Sequence, residues 1–286
     1  MTALMAQTIE DTRLMAREAA DFIRAQASCA PRVAIVCGTG MGGLADCVEN
    51  AVTLPYTDIP HFPVSTVQSH SGRLILGNLG EVPVALMQGR FHVYEGYEMQ
   101  ELALPFRALK GCGCDTLLTT CAAGGMNPIM PLGALVLIDD HIDFFMGQNP
   151  MVGPNDDELG VRFPDMSAPY DPSLIALGEE VARQARIAVW RGIYLGGTGP
   201  TFETRAEYRM FRRYGADLVG MSTVPEVLTA RHCGMRVLGI ATVTNLCRPD
   251  APEEPGHEGV IDVAQSAGPR LQALVRGILS RLNEVS

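Results

Sequence analysis

The sequence predicts an α/β layered fold, and three observations carry that prediction. Short apolar runs of strand length alternate with amphipathic helical runs from residue 9 to residue 283. Polar clusters close several of the apolar runs, the pattern of an open sheet that binds ligands at its strand ends. No composition break and no long Pro/Gly/Ser linker divides the 286 residues, so one domain over 1–286 is expected.

The elements follow in order. Residues 9–27 are charged and amphipathic and predict a helix. An apolar strand at 32–37 runs into the turn Gly38-Thr39-Gly-Met-Gly-Gly-Leu44. Such a turn lets backbone N–H groups approach an anion, yet it is neither a Walker A loop nor a full dinucleotide fingerprint. A tight turn with no ligand fits it as well. Residues 51–68 are Pro-rich and read as extended, and strands are predicted at 73–79 and 82–88. A helix at 98–110 precedes a strand at 115–120, a small-residue turn at 121–126 and a strand at 134–139. Residues 147–172, rich in Pro, Asn, Asp and Gly, read as a long loop, the kind that is functional or interfacial in a compact domain. A helix at 173–186 and a strand at 188–195 lead to the stretch from 198 to 245. A Pro/Glu/Gly-rich loop at 248–259 and a helix at 261–283 close the chain.

Composition excludes several function classes. A formal charge of −10 argues against a nucleic-acid surface but not against a small anion held by a few local donors. No run reaches the length of a membrane span, and the charged N-terminus lacks a signal peptide's apolar core, so a cytoplasmic protein is expected. The 8 cysteines include no CxxC pair and read as scattered buried thiols. Asp140-His141-Ile-Asp143 reads as hydrogen-bonded scaffolding, and no metal site is expected.

Candidate chemistry gathers in two places. Gln88-Gly-Arg90-Phe-His92-Val-Tyr94 alternates its polar residues, so an extended segment would present Arg90, His92 and Tyr94 on one face. Three such donors beyond a strand end suit a phosphate and a sugar. Downstream, Phe202-Glu203, Gly-Met221-Ser222 and Thr244-Asn245 bring a ring, a carboxylate, a Met-Ser pair and an amide, which suit a planar polar heterocycle joined to a sugar.

Together HSGRL, QGRFHVYEGY, CAAGG, DHIDF, GPTFET, GMSTVPEV and TVTN resemble, in order, the trimeric low-molecular-mass purine nucleoside phosphorylases. The resemblance runs from the turn at 38–44 to His257. It implies a three-layer αβα domain with a mixed central β-sheet and the reversible phosphorolysis of 6-oxopurine nucleosides: inosine, guanosine and, as a further candidate, xanthosine. Phosphate would be a co-substrate, with no cofactor and no metal. It implies that Thr39, His70, Arg90, His92, the Ala122 amide and Ser222 surround phosphate. Tyr94, Met221 and His257 would hold the ribose, and Phe202, Glu203, Asn245 and Val260 the base. Phe163 would reach the sugar pocket of a neighbouring subunit in a homotrimer. Thr39 replaces the family's usual Ser, Cys121 its usual Asn, and the segment after Asn245 departs from vertebrate patterns, which bears on substrate range.

The residue types suit the reaction. Breaking the glycosidic bond makes the ribose oxocarbenium-like and the base anionic, with phosphate as the nucleophile. Glu203 can accept the base N1–H, Asn245 can donate to N7 or O6, and His92 stands with phosphate. Two alternatives stay open. A methylthioadenosine phosphorylase resembles this chain but carries an acid in place of Asn245 and lacks the match to His257. A non-catalytic nucleoside-binding protein would release no base.

Overall fold

The computed structural model describes residues 3–38, 40, 42–66, 71–251 and 256–285. The first half contains α1 (Ala3–Gln26), β1 (Val33–Cys37), the short α2 (Gly42–Ala45), β2 (Glu49–Pro55), β3 (Arg73–Leu79), β4 (Val82–Gln88), α3 (Met99–Gly111) and β5 (Thr116–Gly125). The second contains β6 (Leu135–Phe144), α4 (Pro172–Ala185), β7 (Val189–Gly197), α5 (Arg205–Arg213), β8 (Leu218–Gly220), α6 (Val224–His232), β9 (Arg236–Leu246) and α7 (His257–Ser280). The architecture is mixed α/β in three layers. Helices α1, α3 and α6 pack together on one side, and α4 and α7 pack together on the other.

One sheet of nine strands runs β2-β3-β4-β1-β5-β8-β7-β6-β9. Its last strand returns to pair in parallel with β5, so β5, β8, β7, β6 and β9 close into a ring. The near-continuous apolar runs of β1, β5 and β9 follow from burial on both faces. Sequence chemistry fixes several boundaries. Asp171 caps α4 by accepting from the N–H groups of Ser173 and Leu174, with Pro172 in the first turn where a missing N–H costs nothing. Thr204 and Glu207 form a reciprocal capping box at the start of α5.

Four expectations are corrected. Cys121 to Gly125 is not a turn but the second half of β5, paired along its length with β9. Its small residues read as a turn, yet they serve close packing. A Cβ on Gly125 would lie 2.7 Å from Val243 Cγ1 and one on Gly124 2.4 Å from Cys247 Sγ, so larger side chains would push the neighbouring strand away. Asp140, His141 and Asp143 lie inside β6, in register with β7, rather than beyond a strand end. Residues 90–94 are not one extended run, because Val93–Glu95 turns as a 3-10 helix capped by left-handed Gly96 (φ 95°). Finally, α7 begins at His257, inside the segment expected to be loop.

Candidate active site

The site lies where β5 changes neighbours. β1 pairs with β5 as far as Thr119, and β8 joins the same edge only at Gly124. Between them the edge of β5 meets no strand. The Thr120 carbonyl points into this gap and accepts from Arg90 at 2.7 Å. Alternation along a strand places the N–H and C=O of Ala122 on the same edge. A cleft of about 150 Å³ opens there, with Arg90, His92, Ala122 and Ser222 at one end and Phe202, Glu203, Asn245 and Val260 also on its walls.

Arg90 leaves the end of β4 and turns inward, with 2% of its surface exposed. Its Nε and Nη2 donate to the Glu226 carboxylate at 2.7 and 2.9 Å. Nη2 also donates to Thr119 Oγ1 at 2.7 Å, and Nη1 reaches Ser222 Oγ at 3.3 Å. The guanidinium is thus held in a bidentate fork, the geometry for which Arg is suited. Of these bonds the one to Ser222, at the cleft wall, is the longest.

His92 is buried and stacks on Tyr94, with centroids 4.6 Å apart and planes 14° apart. Glu95 holds it twice, accepting from the His92 backbone N–H at 2.8 Å and meeting Nδ1 at 3.0 Å. Burial lowers the His92 pKa and outweighs the pull of Glu95 in the other direction, so the ring is neutral near pH 7. With Nδ1–H donated to the carboxylate, Nε2 is the acceptor nitrogen. Burial pushes the Glu95 carboxyl up, but hydrogen bonds from His92 and Thr66 win and hold it at about 2.

Ser222 and Thr223 form the corner between β8 and α6. Thr223 adopts φ 66°, a strained conformation for a β-branched residue, directly before the first turn of α6. The Ser222 N–H donates to Tyr194 Oη at 3.3 Å and its hydroxyl lies 3.2 Å from that of Thr223. The corner is therefore over-determined, and it presents a hydroxyl and a helix N-terminus to the Arg90 end of the cleft, where an anion is favoured.

The other end comes from three segments. Gly199 takes φ 66°, and a Cβ there would meet Met221 Sδ at 2.4 Å and Tyr94 Cδ1 at 3.2 Å. The Gly-Pro loop thus closes against Tyr94 and Met221. Phe202 stands on the lip, 45% exposed. Burial raises the Glu203 pKa, opposed by its own backbone N–H and by Tyr208. Asn245, near the end of β9, donates from Nδ2 to Cys247 Sγ at 3.5 Å.

Thus Arg90, His92, Tyr94, Ala122, Phe202, Glu203, Met221, Ser222, Asn245 and Val260 line one cleft. Thr39 and His70 lie outside the described residues. His257 is the first residue of α7, and its side chain is likewise outside the described part. Phe163 does not line the cleft of its own chain. It sits on the long irregular segment, 86% exposed, with the Arg162 guanidinium 5.4 Å from its ring centre. Sequence reasoning missed Glu95 and Glu226, although both stand in motifs it singled out. The signal was available: a carboxylate beside buried Arg or His needs that partner.

The description "Phosphorylase superfamily" matches residues 32–280. Purine nucleoside phosphorylase 1 of Bacillus subtilis (strain 168) is 46% identical over 263 residues, covering 92% of this chain and 97% of that protein. The chain belongs to the purine nucleoside phosphorylase family. Two solved structures of purine nucleoside phosphorylase from Schistosoma mansoni share its fold. The purine nucleoside phosphorylase in complex with inosine has TM-score 0.89 at 39% identity, covering 94% of this chain and 96% of that one. The one in complex with adenosine has TM-score 0.88 at 40% identity, covering 96% and 98%. In this family member, too, a cleft opens at the switch of neighbours along one parallel strand, the place where open α/β sheets bind ligands. Among the described residues, no group of three or more His, Cys, Asp and Glu is arranged to hold a metal, and no helix is long and apolar enough to cross a membrane.

Proposed function

We propose that the protein catalyses the reversible phosphorolysis of 6-oxopurine ribonucleosides and deoxyribonucleosides, with inosine, guanosine and xanthosine as substrates, releasing the free base and a pentose 1-phosphate in purine salvage. The observation that carries this reading is the pairing of two chemistries in one cleft. An anion-suited end (Arg90, His92, the Ala122 edge and Ser222) stands with a carboxylate and an amide, Glu203 and Asn245. Family membership and relatives solved with inosine and adenosine support the same reaction class.

Phosphate binds at the first end and is itself the nucleophile. Ser222 and the Ala122 amide orient it, Arg90 supplies charge, and neutral His92 accepts a phosphate O–H through Nε2. Thr39 and His70 complete this shell. Tyr94, Met221 and His257 position the ribose, so that phosphate lies under the anomeric carbon in line with the departing base. As the glycosidic bond lengthens, positive charge grows on the ribose and negative charge on the purine. Asn245 donates to N7 or O6 of that anion, and Glu203 accepts from N1–H. Phe202 and Val260 sandwich the base. Phosphate is a co-substrate and no cofactor or metal takes part.

The reading extends to assembly and setting. The protein works as a homotrimer in the cytoplasm, and Phe163 closes the sugar pocket of the neighbouring subunit. An aromatic ring 86% exposed on a long irregular segment supports a partner surface there. Eight free cysteines fit a reducing compartment.

Selectivity against adenosine is read from Glu203 and Asn245, since a relative's fold also seats adenosine. The 6-amino form places a lone pair at N1 against the carboxylate and leaves a buried acceptor unpaired. The test is a nucleoside panel with and without phosphate, read as base released. Inosine, guanosine and xanthosine should release base only with phosphate, and adenosine slower by roughly two orders of magnitude in kcat/KM. Phosphate-independent release, or adenosine turned over as well as inosine, would overturn the proposal.

A further inference from the structure

A side chain joins the end of β1 to β5 where the ladder would use backbone. The two strands pair in parallel from Val33 with Thr116 to Val36 with Thr119. Carried further, this register would set Gly38 opposite Cys121. The Gly38 N–H would then donate to the Thr120 carbonyl, and the Gly38 carbonyl would accept from the Ala122 N–H. Instead the Gly38 N–H donates to the Thr120 hydroxyl at 3.0 Å, and that hydroxyl donates to the Val36 carbonyl at 2.9 Å. The Thr120 carbonyl accepts from Arg90 Nη1 at 2.7 Å. The two chains approach too closely here for a side chain at Gly38, whose Cβ would lie 2.5 Å from the Thr120 carbonyl oxygen and 3.0 Å from Cys121 Cα.

This exchange decides what the edge of β5 offers to the cleft. A hydroxyl can donate and accept at once, so one Thr120 side chain satisfies two backbone groups of the first strand and its turn. Thr120 is buried, and water cannot take over either bond. Its own carbonyl is thereby left to the Arg90 guanidinium. The Ala122 N–H lies on the same edge, past the last β1 pair, and Gly38, Arg90 and Ala122 line one cleft. We propose that Thr120 is a positioning residue for phosphate. Its hydroxyl stands in for a strand bond and ends the β1–β5 ladder early, which assigns the Thr120 carbonyl to Arg90 and the Ala122 N–H to the anion. The same bond fixes the start of the Gly38 turn. This rests on the phosphorolysis reading above. It adds that the anion end depends on a strand terminator as well as on the groups that touch the anion.

The test uses Thr120→Val and Thr120→Ser in the full-length protein, with KM measured separately for phosphate and inosine. Thr120→Val keeps the shape and the branch but removes the acceptor of the Gly38 N–H, and the nearby Thr120 carbonyl becomes the object of competition between Gly38 and Arg90. Phosphate KM should rise roughly tenfold, the scale of one buried donor left unpaired. Inosine KM should stay near the wild-type value, because Thr120 does not line the base end of the cleft. Thr120→Ser keeps the hydroxyl and should restore phosphate KM. Added inorganic phosphate should also raise the Tm of Thr120→Val less than that of the wild type or of Thr120→Ser. A wild-type phosphate KM in folded Thr120→Val would overturn the proposal, and so would equal rises in both KM values without rescue by Ser. If Thr120→Val does not fold, Gly38→Ala decides: its methyl group would press on the Thr120 carbonyl, so an unchanged phosphate KM there would also overturn it. Failure of the phosphorolysis reading looks different. The wild-type protein would then release no base with phosphate, and the phosphate-induced change in Tm, which needs no turnover, would still decide the role of Thr120.

Discussion

Removing Glu226 while keeping Arg90 tests the anion end of the cleft most directly. The Glu226 carboxylate accepts from Arg90 Nε at 2.7 Å and Nη2 at 2.9 Å, and from Thr119 Oγ1 at 2.5 Å. Its side chain is 7% exposed and that of Arg90 3%. Glu226→Ala would leave a buried guanidinium without its counter-charge and the Thr119 hydroxyl without its acceptor. Breaking one side of such a pair costs roughly 3–5 kcal/mol. For a chain of this length that is a fall in Tm of roughly 5–10 °C. Phosphate KM should rise as well, because the guanidinium is no longer held against Ser222. The double variant Arg90→Met/Glu226→Leu separates the two effects. Filling the pocket with apolar groups should recover most of the stability, measured by urea unfolding, while phosphate KM stays raised. A loss below about 1 kcal/mol in Glu226→Ala would refute the stability argument. Full recovery of phosphate use in the double variant would remove Arg90 from the phosphate site.

Three more expectations follow from the same geometry. Glu95→Gln should weaken turnover by freeing the His92 tautomer. Because the folded Glu95 pKa of about 2 lies below its ordinary 4.5, its stabilisation is complete above pH 4.5 and lost as pH falls towards 2, so the variant's unfolding free energy should vary less with pH in that window. At neutral pH the variant should lose roughly 1–2 kcal/mol after allowance for solvent screening, and an unchanged pH profile would contradict the pairing. Gly124→Ala should cost about 1–3 kcal/mol of overpacking and lower inosine kcat/KM by displacing Cys247 and Asn245, and a variant with wild-type kinetics would show that the crowding is relieved elsewhere. Subunits carrying Phe163→Ala, mixed with subunits disabled at Asn245, should recover activity in hybrid sites, and verified mixed oligomers without recovery would argue against a role for Phe163 across the subunit boundary.

Local pattern made much of this legible. Strands β1, β3 and β4 are apolar runs bounded by turn residues, and they fall where the alternation puts them. The line of Arg90, His92 and Tyr94 was visible as a cluster, but its shape was not. The 3-10 turn at Val93–Glu95 depends on Glu95 folding back onto His92, a contact that competes with extension and has no period. Small residues misled at β5. Gly124 and Gly125 suggest a turn by propensity, while their use is a close approach to β9, more than a hundred residues away in sequence. The same distance hid Glu226, whose partner Arg90 is 136 residues away. Cys247 is an ordinary core type by composition, and only the hydrogen bond it accepts from Asn245 Nδ2 at 3.5 Å joins it to the cleft.

The return of β9 to β5 has a consequence for how the sheet meets other chains. A nine-stranded open sheet has two margins, but here one is sealed, and β2 alone among the described strands has a single neighbour. An unpaired margin is a template for foreign strands and thus for aggregation. β2 is poor at that task. Glu49 begins it, Asn50 takes a left-handed φ of 52°, the register with β3 shifts between Glu49 and Val52, and Pro55 ends it without an N–H to offer. The chain thus closes one margin by topology and blunts the other by chemistry, leaving the sheet no straight ledge on which another copy could polymerise.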